Sequence, residues 1–204
     1  MKKVVILTLL LVFLCGYAYA QPAPTATGNP LVYKVTLNIF RISSDGGSTW
    51  TTVSNTPTEF DIASVTAGQA VGNLFGGSLT PGTYNRIEHT PSASFKMQGY
   101  IIDAVGGTDY YTSTTESNGT NSTANFDVNN PPSDYGEATI IVYSYSAGDS
   151  LPAVEETVNI VVKFGANQKV NIDFDVSNTL ALYNVGGGSY QLMPAAPTAT
   201  ITTE

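Results

Sequence analysis

Residues 31–42 read LVYKVTLNIFRI. Side chains of an extended chain alternate between two faces, so Leu31, Tyr33, Val35, Leu37 and Ile39 share one face, and Lys34, Thr36 and Asn38 share the other. This is the pattern of a half-buried strand. It returns near the C-terminus, where Val158, Ile160, Val162 and Phe164 alternate with Asn159, Val161 and Lys163. Val170, Ile172, Phe174 and Val176 then alternate with Asn171, Asp173, Asp175 and Ser177. Gly165-Ala166-Asn167-Gln168 between the two runs predicts that they form a hairpin.

Working outward, strands are expected at 84–90, 95–103, 109–115, 124–128 and 139–146. Each is bounded by turn-forming clusters such as Thr80-Pro81-Gly82 and Asn129-Asn130-Pro131-Pro132. Only 62–74 has a helical pattern, and Gly68 and Gly72 limit it to one short helix. Many short strands separated by turns predict an all-β chain, folded as an antiparallel β-sandwich or open barrel. No internal repeat and no long charge run interrupts it.

The N-terminus, MKKVVILTLLLVFLCGYAYAQ, carries Lys2 and Lys3, an apolar run, and Ala18-Tyr19-Ala20 before Gln21. That is the layout of a secretory signal peptide, too short for a membrane span. Cleavage is expected after Ala20. Lipidation at Cys15 is the lesser alternative, because Leu14 stands where a lipidation signal has a small residue. Cys15 is the only cysteine of the chain, so removing the leader excludes disulfides, thiolate catalysis and cysteine-ligated zinc. The expected organisation is a signal peptide at 1–20, a Pro-rich flexible linker at 21–30, one β-sandwich domain at 31–194 and a flexible tail at 195–204. The net charge is −8, and it becomes more negative once Lys2 and Lys3 leave. Such a surface repels nucleic acid and anionic lipid. The protein is therefore expected to be secreted or displayed at the cell surface.

Residues 43–50, SSDGGSTW, fit the pattern S-x-D-x-G-x-T-W, which resembles the Asp-box of sialidases and other β-propellers. The stretch lies between a strand ending at Ile42 and a strand expected at 50–53, which makes it a hairpin loop. Asp45 can accept backbone hydrogen bonds there, Gly46 and Gly47 can take positive φ, and Trp50 can pack back over the turn. In propeller glycosidases the box recurs once per blade and lies away from the catalytic centre, whereas here it occurs once. Past the leader the only arginines are Arg41 and Arg86. They cannot make the arginine cluster that sialidase chemistry needs, and the chain is too short for a six-bladed propeller. No catalytic residue is assigned, and the match is taken as structural only.

Four pieces carry a wider resemblance: VTLNIFRISSDGGSTWTTV, EFDIASVTAG, SLTPGTYNRIEH and VNIDFDVSNTLALYNVGGGSYQLMP. In order and spacing over 32–194 they resemble an uncharacterised domain family of secreted bacterial and archaeal proteins, often lipoproteins. The resemblance implies an immunoglobulin-like or transthyretin-like β-sandwich with no established activity and no catalytic residue.

Several side chains are candidates for binding. His89, the only histidine, stands on a strand with Tyr84, Arg86 and Glu88; a triad with a serine is weighed against a charged strand face, which is the commoner arrangement. Asp173 and Asp175 share a strand face and are weak Ca²⁺ candidates, although the twelve-residue calcium-loop pattern is absent. Asn118-Gly119-Thr120 and Asn121-Ser122-Thr123 are glycosylation sequons at Asn118 and Asn121. Trp50, Tyr143 and Tyr145 would be the glycan-contact aromatics of a carbohydrate-binding face. No cofactor is expected.

Two functions follow as expectations. The first is a non-catalytic structural or adhesive protein of the cell exterior, a filament subunit that lends a strand from one of its Pro-punctuated ends to a neighbour's sheet edge. Its partners would be other copies of itself or other envelope proteins. The second is a soluble module that binds a glycan or small ligand.

Overall fold

The computed structural model describes residues 9–10, 23–64, 79–142, 145–164 and 170–203. In chain order its strands are Leu9–Leu10 (β1), Ala26–Gly28 (β2), Val32–Ser43 (β3), Thr51–Ser54 (β4), Thr58–Asp61 (β5), Gly82–Pro91 (β6), Ser94–Gln98 (β7) and Tyr100–Val105 (β8). They continue with Thr108–Thr112 (β9), Thr120–Thr123 (β10), Ala138–Ile141 (β11), Val154–Val162 (β12), Val170–Asp175 (β13), Leu180–Gly186 (β14), Ser189–Pro194 (β15) and Thr198–Thr203 (β16). The described chain is all-β, its sheets are antiparallel and packed on one another as in a β-sandwich, and it contains no helix.

The largest sheet is built on β3. Lys34 pairs with Asp61 of β5 on one side and Lys96 of β7 on the other, and Phe40 pairs with Ser54 of β4 and His89 of β6. β7 and β6 thus run in succession along one side of β3, and β5 and β4 along the other. β11 joins β7, and β12 joins β6. The second layer is the sheet β15-β14-β2, flanked by β10-β9-β8. Tyr33, Val35, Phe60, Phe95, Met97 and Ile140 from the large sheet meet Ile101 of β8 and Leu180, Leu182 and Leu192 of β14 and β15 in one core. Burying this apolar surface is the main force holding the layers together.

The opening strand differs from its simple alternation halfway along. Tyr33 and Val35 are buried as predicted, but Leu31 is exposed, and beyond Leu37 the inward positions become Phe40 and Ile42. Register shifts fall between Leu37 and Ile39 against β6, and between Phe40 and Arg41 against β4. An extra residue in a ladder turns every later side chain to the opposite face. One strand therefore supplies two cores, the second formed by Phe40, Ile42, Tyr84, Ile87, Val158 and Ile160.

Other expectations are corrected. The runs 158–164 and 170–176 are strands but not each other's hairpin partners: β12 pairs with β6, and β13 pairs with β16. The candidate loop 165–168 itself lies outside the described residues, as does most of the candidate helix at 62–74, whose described start is a turn. Residues 124–128 are not a strand; β10 precedes them, and Phe126 is buried in the loop that follows. The run 95–103 breaks at Gly99, where the chain leaves the large sheet for β8. A Cβ at Gly99 would lie 2.7 Å from Leu180 Cδ2 and 3.3 Å from Pro30 Cα, so glycine alone fits this crossing.

The two ends, read as a flexible linker and tail, both carry strands. They also share a short repeat, against the expectation of none: Ala23–Thr27 and Ala196–Thr200 are both APTAT. The first copy enters β2 on β14, and the second enters β16 on β13.

Candidate functional site

At the 43–50 hairpin β3 returns as β4, as expected, with Ile42 opposite Thr51. Asp45 accepts from the Ser43 hydroxyl at 2.7 Å, the Thr49 amide at 2.9 Å and the Thr49 hydroxyl at 2.7 Å. These bonds favour the charged carboxylate and lower the Asp45 pKa to about 2, the Thr49 hydroxyl contributing most. Gly46 and Gly47 take positive φ, and the Trp50 ring lies 3.3 Å from where a Cβ on Gly47 would be. The side chains of Ser43, Asp45 and Thr49 are bonded within the turn, and Asn85 of β6 anchors it by accepting from the Gly46 amide at 3.0 Å and donating to the Ser44 carbonyl at 3.3 Å.

A second carboxylate, which the sequence did not single out, organises the opposite layer. Asp134 accepts from the Ser113 hydroxyl at 2.7 Å, the Asn121 amide at 3.0 Å and the Tyr111 hydroxyl at 3.1 Å. Its pKa is lowered, chiefly by the Ser113 bond and then by the Asn121 bond. The knot ties the 127–137 loop over a cluster of rings: Phe126 stacks on Tyr100 at 4.5 Å and meets Tyr135 edge-on at 5.1 Å. Asp109, buried, clasps the same layer by accepting from the Asp103 amide at 2.8 Å and the Phe126 amide at 2.7 Å. Both aspartates were missed because their partners lie on other segments.

The predicted site residues do not gather. His89 is buried, with Nε2 3.2 Å from Glu156 Oε1. It points away from its strand neighbour Glu88, which pairs with Arg41 at 3.2 Å. The solvent-facing charged row is therefore corrected, since Glu88 and Tyr84 are also buried and the Tyr84 hydroxyl donates to the Thr80 carbonyl at 2.8 Å. Asp173 and Asp175 lie in β13, opposite Thr200 and Thr198. Asp175 accepts from the Ser177 amide at 2.9 Å, and its pKa is lowered first by the Ser177 side-chain hydrogen bond and then by this amide bond. Among the described residues no three metal-ligating side chains come together.

Trp50 lies on its hairpin, Tyr145 packs at the margin of the main core, and Tyr143 lies outside the described residues. The two sequons differ. Asn118 is exposed and uses only its Oδ1, towards the Thr120 amide, whereas the Asn121 amide nitrogen is held by Asp134. No described helix is long and apolar enough to cross a membrane.

Comparison with protein-family models, with curated proteins and with solved structures finds no match for this chain.

Proposed function

We propose that this is a secreted, non-catalytic structural β-sandwich protein of the cell exterior, a subunit that associates with copies of itself through strands at its ends. The reading is carried by how those ends are built. β2 adds only three residues to β14, and β16 closes a ribbon with β13 whose outer side, among the described residues, is taken at two positions. Short, late-added strands and open edges are the elements that proteins exchange between copies. The leader-like N-terminus and the resemblance to secreted domains support an exterior location. The alternative, a glycan-binding module, draws less support, since Trp50 and Tyr145 sit at separate places against their own surroundings.

Negative-stain electron microscopy of residues 21–204 across a concentration series tests the proposal. Regular assemblies that grow with concentration are the expected outcome. Uniform monomers at every concentration would overturn it and turn attention to glycan arrays.

A further inference from the structure

Sheet edges left unguarded pair with other chains, and proteins blunt them with short strands, charges, bulges, prolines or cover. Most edges here carry such a device. β4, β5, β10 and β11 have four residues each. β12 has Glu155, Glu156 and a register shift between Thr157 and Ile160. β8 has a register shift and Asp103 at φ 50°. β15 ends in Pro194, and its Leu192 amide donates to the Thr120 hydroxyl at 2.9 Å. β2 is three residues between Pro24 and Pro30, and β13 carries Asp173 and Asp175.

Within its own span β16 carries none of these; Pro197 precedes it and Glu204 follows it. It is six residues, Thr-Ala-Thr-Ile-Thr-Thr, without charge, glycine or proline, and it pairs with β13 in unbroken register. Its outer side is occupied only by β1, with Leu9 opposite Ala199 and Leu10 opposite Thr198. Among the described residues, 200–203 have no partner on that side. The one segment seated on this edge belongs to the stretch read as a removable leader.

We infer that the outer edge of β16 is a self-recognition surface, guarded in the precursor by β1 and, once residues 1–20 are removed, paired antiparallel with β16 of a second copy. This rests on the structural-subunit reading and names its interface. Two β13–β16 ribbons join into one four-stranded sheet about a two-fold axis, so each copy presents the same strand. The Thr-rich sequence places threonines across from threonines, a favourable cross-strand pairing, and no charge opposes the contact. The N-terminal APTAT of a second copy is the rival occupant. However, Ala26–Gly28 is already paired with its own β14, and a Cβ at Gly28 would lie 3.1 Å from the Tyr100 carbonyl oxygen, a close fit that leaving would forfeit. Among the described residues β1 pairs with β16 alone, and both cores are built from residues of the chain beyond Gln21.

The test uses residues 21–204, which contain no cysteine. Single variants Thr200→Cys and Thr202→Cys are oxidised and compared with Thr52→Cys on the exposed strand β4. A two-fold axis places only one residue opposite itself, so disulfide-linked dimers well above the Thr52→Cys background are expected from Thr200→Cys alone, from Thr202→Cys alone or, with Ile201 on the axis, from the two mixed. A background-level yield from all three, or cross-linking of Thr200→Cys only when mixed with Thr27→Cys, would overturn the pairing. A second variant, T200K/T202K, places one lysine across from the carboxylate of Asp173 and the other across from Asn171. It should sediment as a monomer with an unchanged melting temperature, and a variant that associates as the parent does would contradict the inference. If the parent assembles and T200K/T202K does too, the edge assignment falls and the subunit reading stands. If the parent is monomeric throughout, both fall.

Discussion

Two aspartates carry much of the local order, and each makes a measurable claim. Asp45 has a folded pKa of about 2, lowered by hydrogen bonds from Thr49 and Ser43, against roughly 3.9 for a free aspartate. A depressed carboxylate contributes stability that is fully present above its unfolded pKa and is lost as pH falls through the folded one. Thermal melts should therefore show acid destabilisation between about pH 4 and about pH 2, and Asp45→Asn should flatten part of that profile. An unchanged profile would mean that the carboxylate's bonds contribute nothing in solution. At Asp134, alanine removes the acceptor of the buried Ser113 hydroxyl as well as those of Asn121 and Tyr111. Denaturant unfolding should record a loss of about 1–3 kcal/mol, the usual cost of leaving a buried polar group unmatched. Neither role was legible in the same way. The Asp45 turn is local, and its Ser-x-Asp-x-Gly spacing spells it out. Asp134 works through residues up to 23 positions away, which no window of sequence reveals.

At the scale of elements, alternation located most strands because the faces they bury are apolar every second residue. It failed where geometry, not composition, decides. The face switch in β3 comes from register shifts near Asn38, and nothing in LVYKVTLNIFRI marks them. The 158–176 hairpin failed because β13 finds its partner at the far C-terminus. That partner was legible in principle, since Thr198–Thr203 is β-branched and uncharged, but its proline-flanked position suggested a tail. The break at Gly99 belongs to the same class. Gly99→Val would force a side chain against Leu180 and the backbone of Pro30, and should cost about 1–3 kcal/mol by overpacking. Urea midpoints of the two proteins give the comparison. Phe164 offers the contrasting case: it is 92% exposed, so Phe164→Ser should leave the midpoint within about 0.5 kcal/mol, as surface substitutions do.

For the whole molecule, the two layers enclose their own core while the chain ends are left at sheet edges. The candidate site residues drawn from the sequence are scattered over separate clusters, each engaged with its own loop. What distinguishes the molecule, among its described residues, is its perimeter, guarded along most edges and open along β16 beyond Ala199. A net charge of −8 disfavours contact between copies elsewhere on the surface, in keeping with the pairing proposed at that uncharged edge. The most direct measurement is sedimentation velocity of residues 21–204 beside the full chain, over a range of concentrations. The shorter chain should associate increasingly with concentration, and more strongly than the full chain, in which β1 covers Thr198 and Ala199. A shorter chain that remains monomeric throughout, or a full chain that associates equally well, would contradict the pairing.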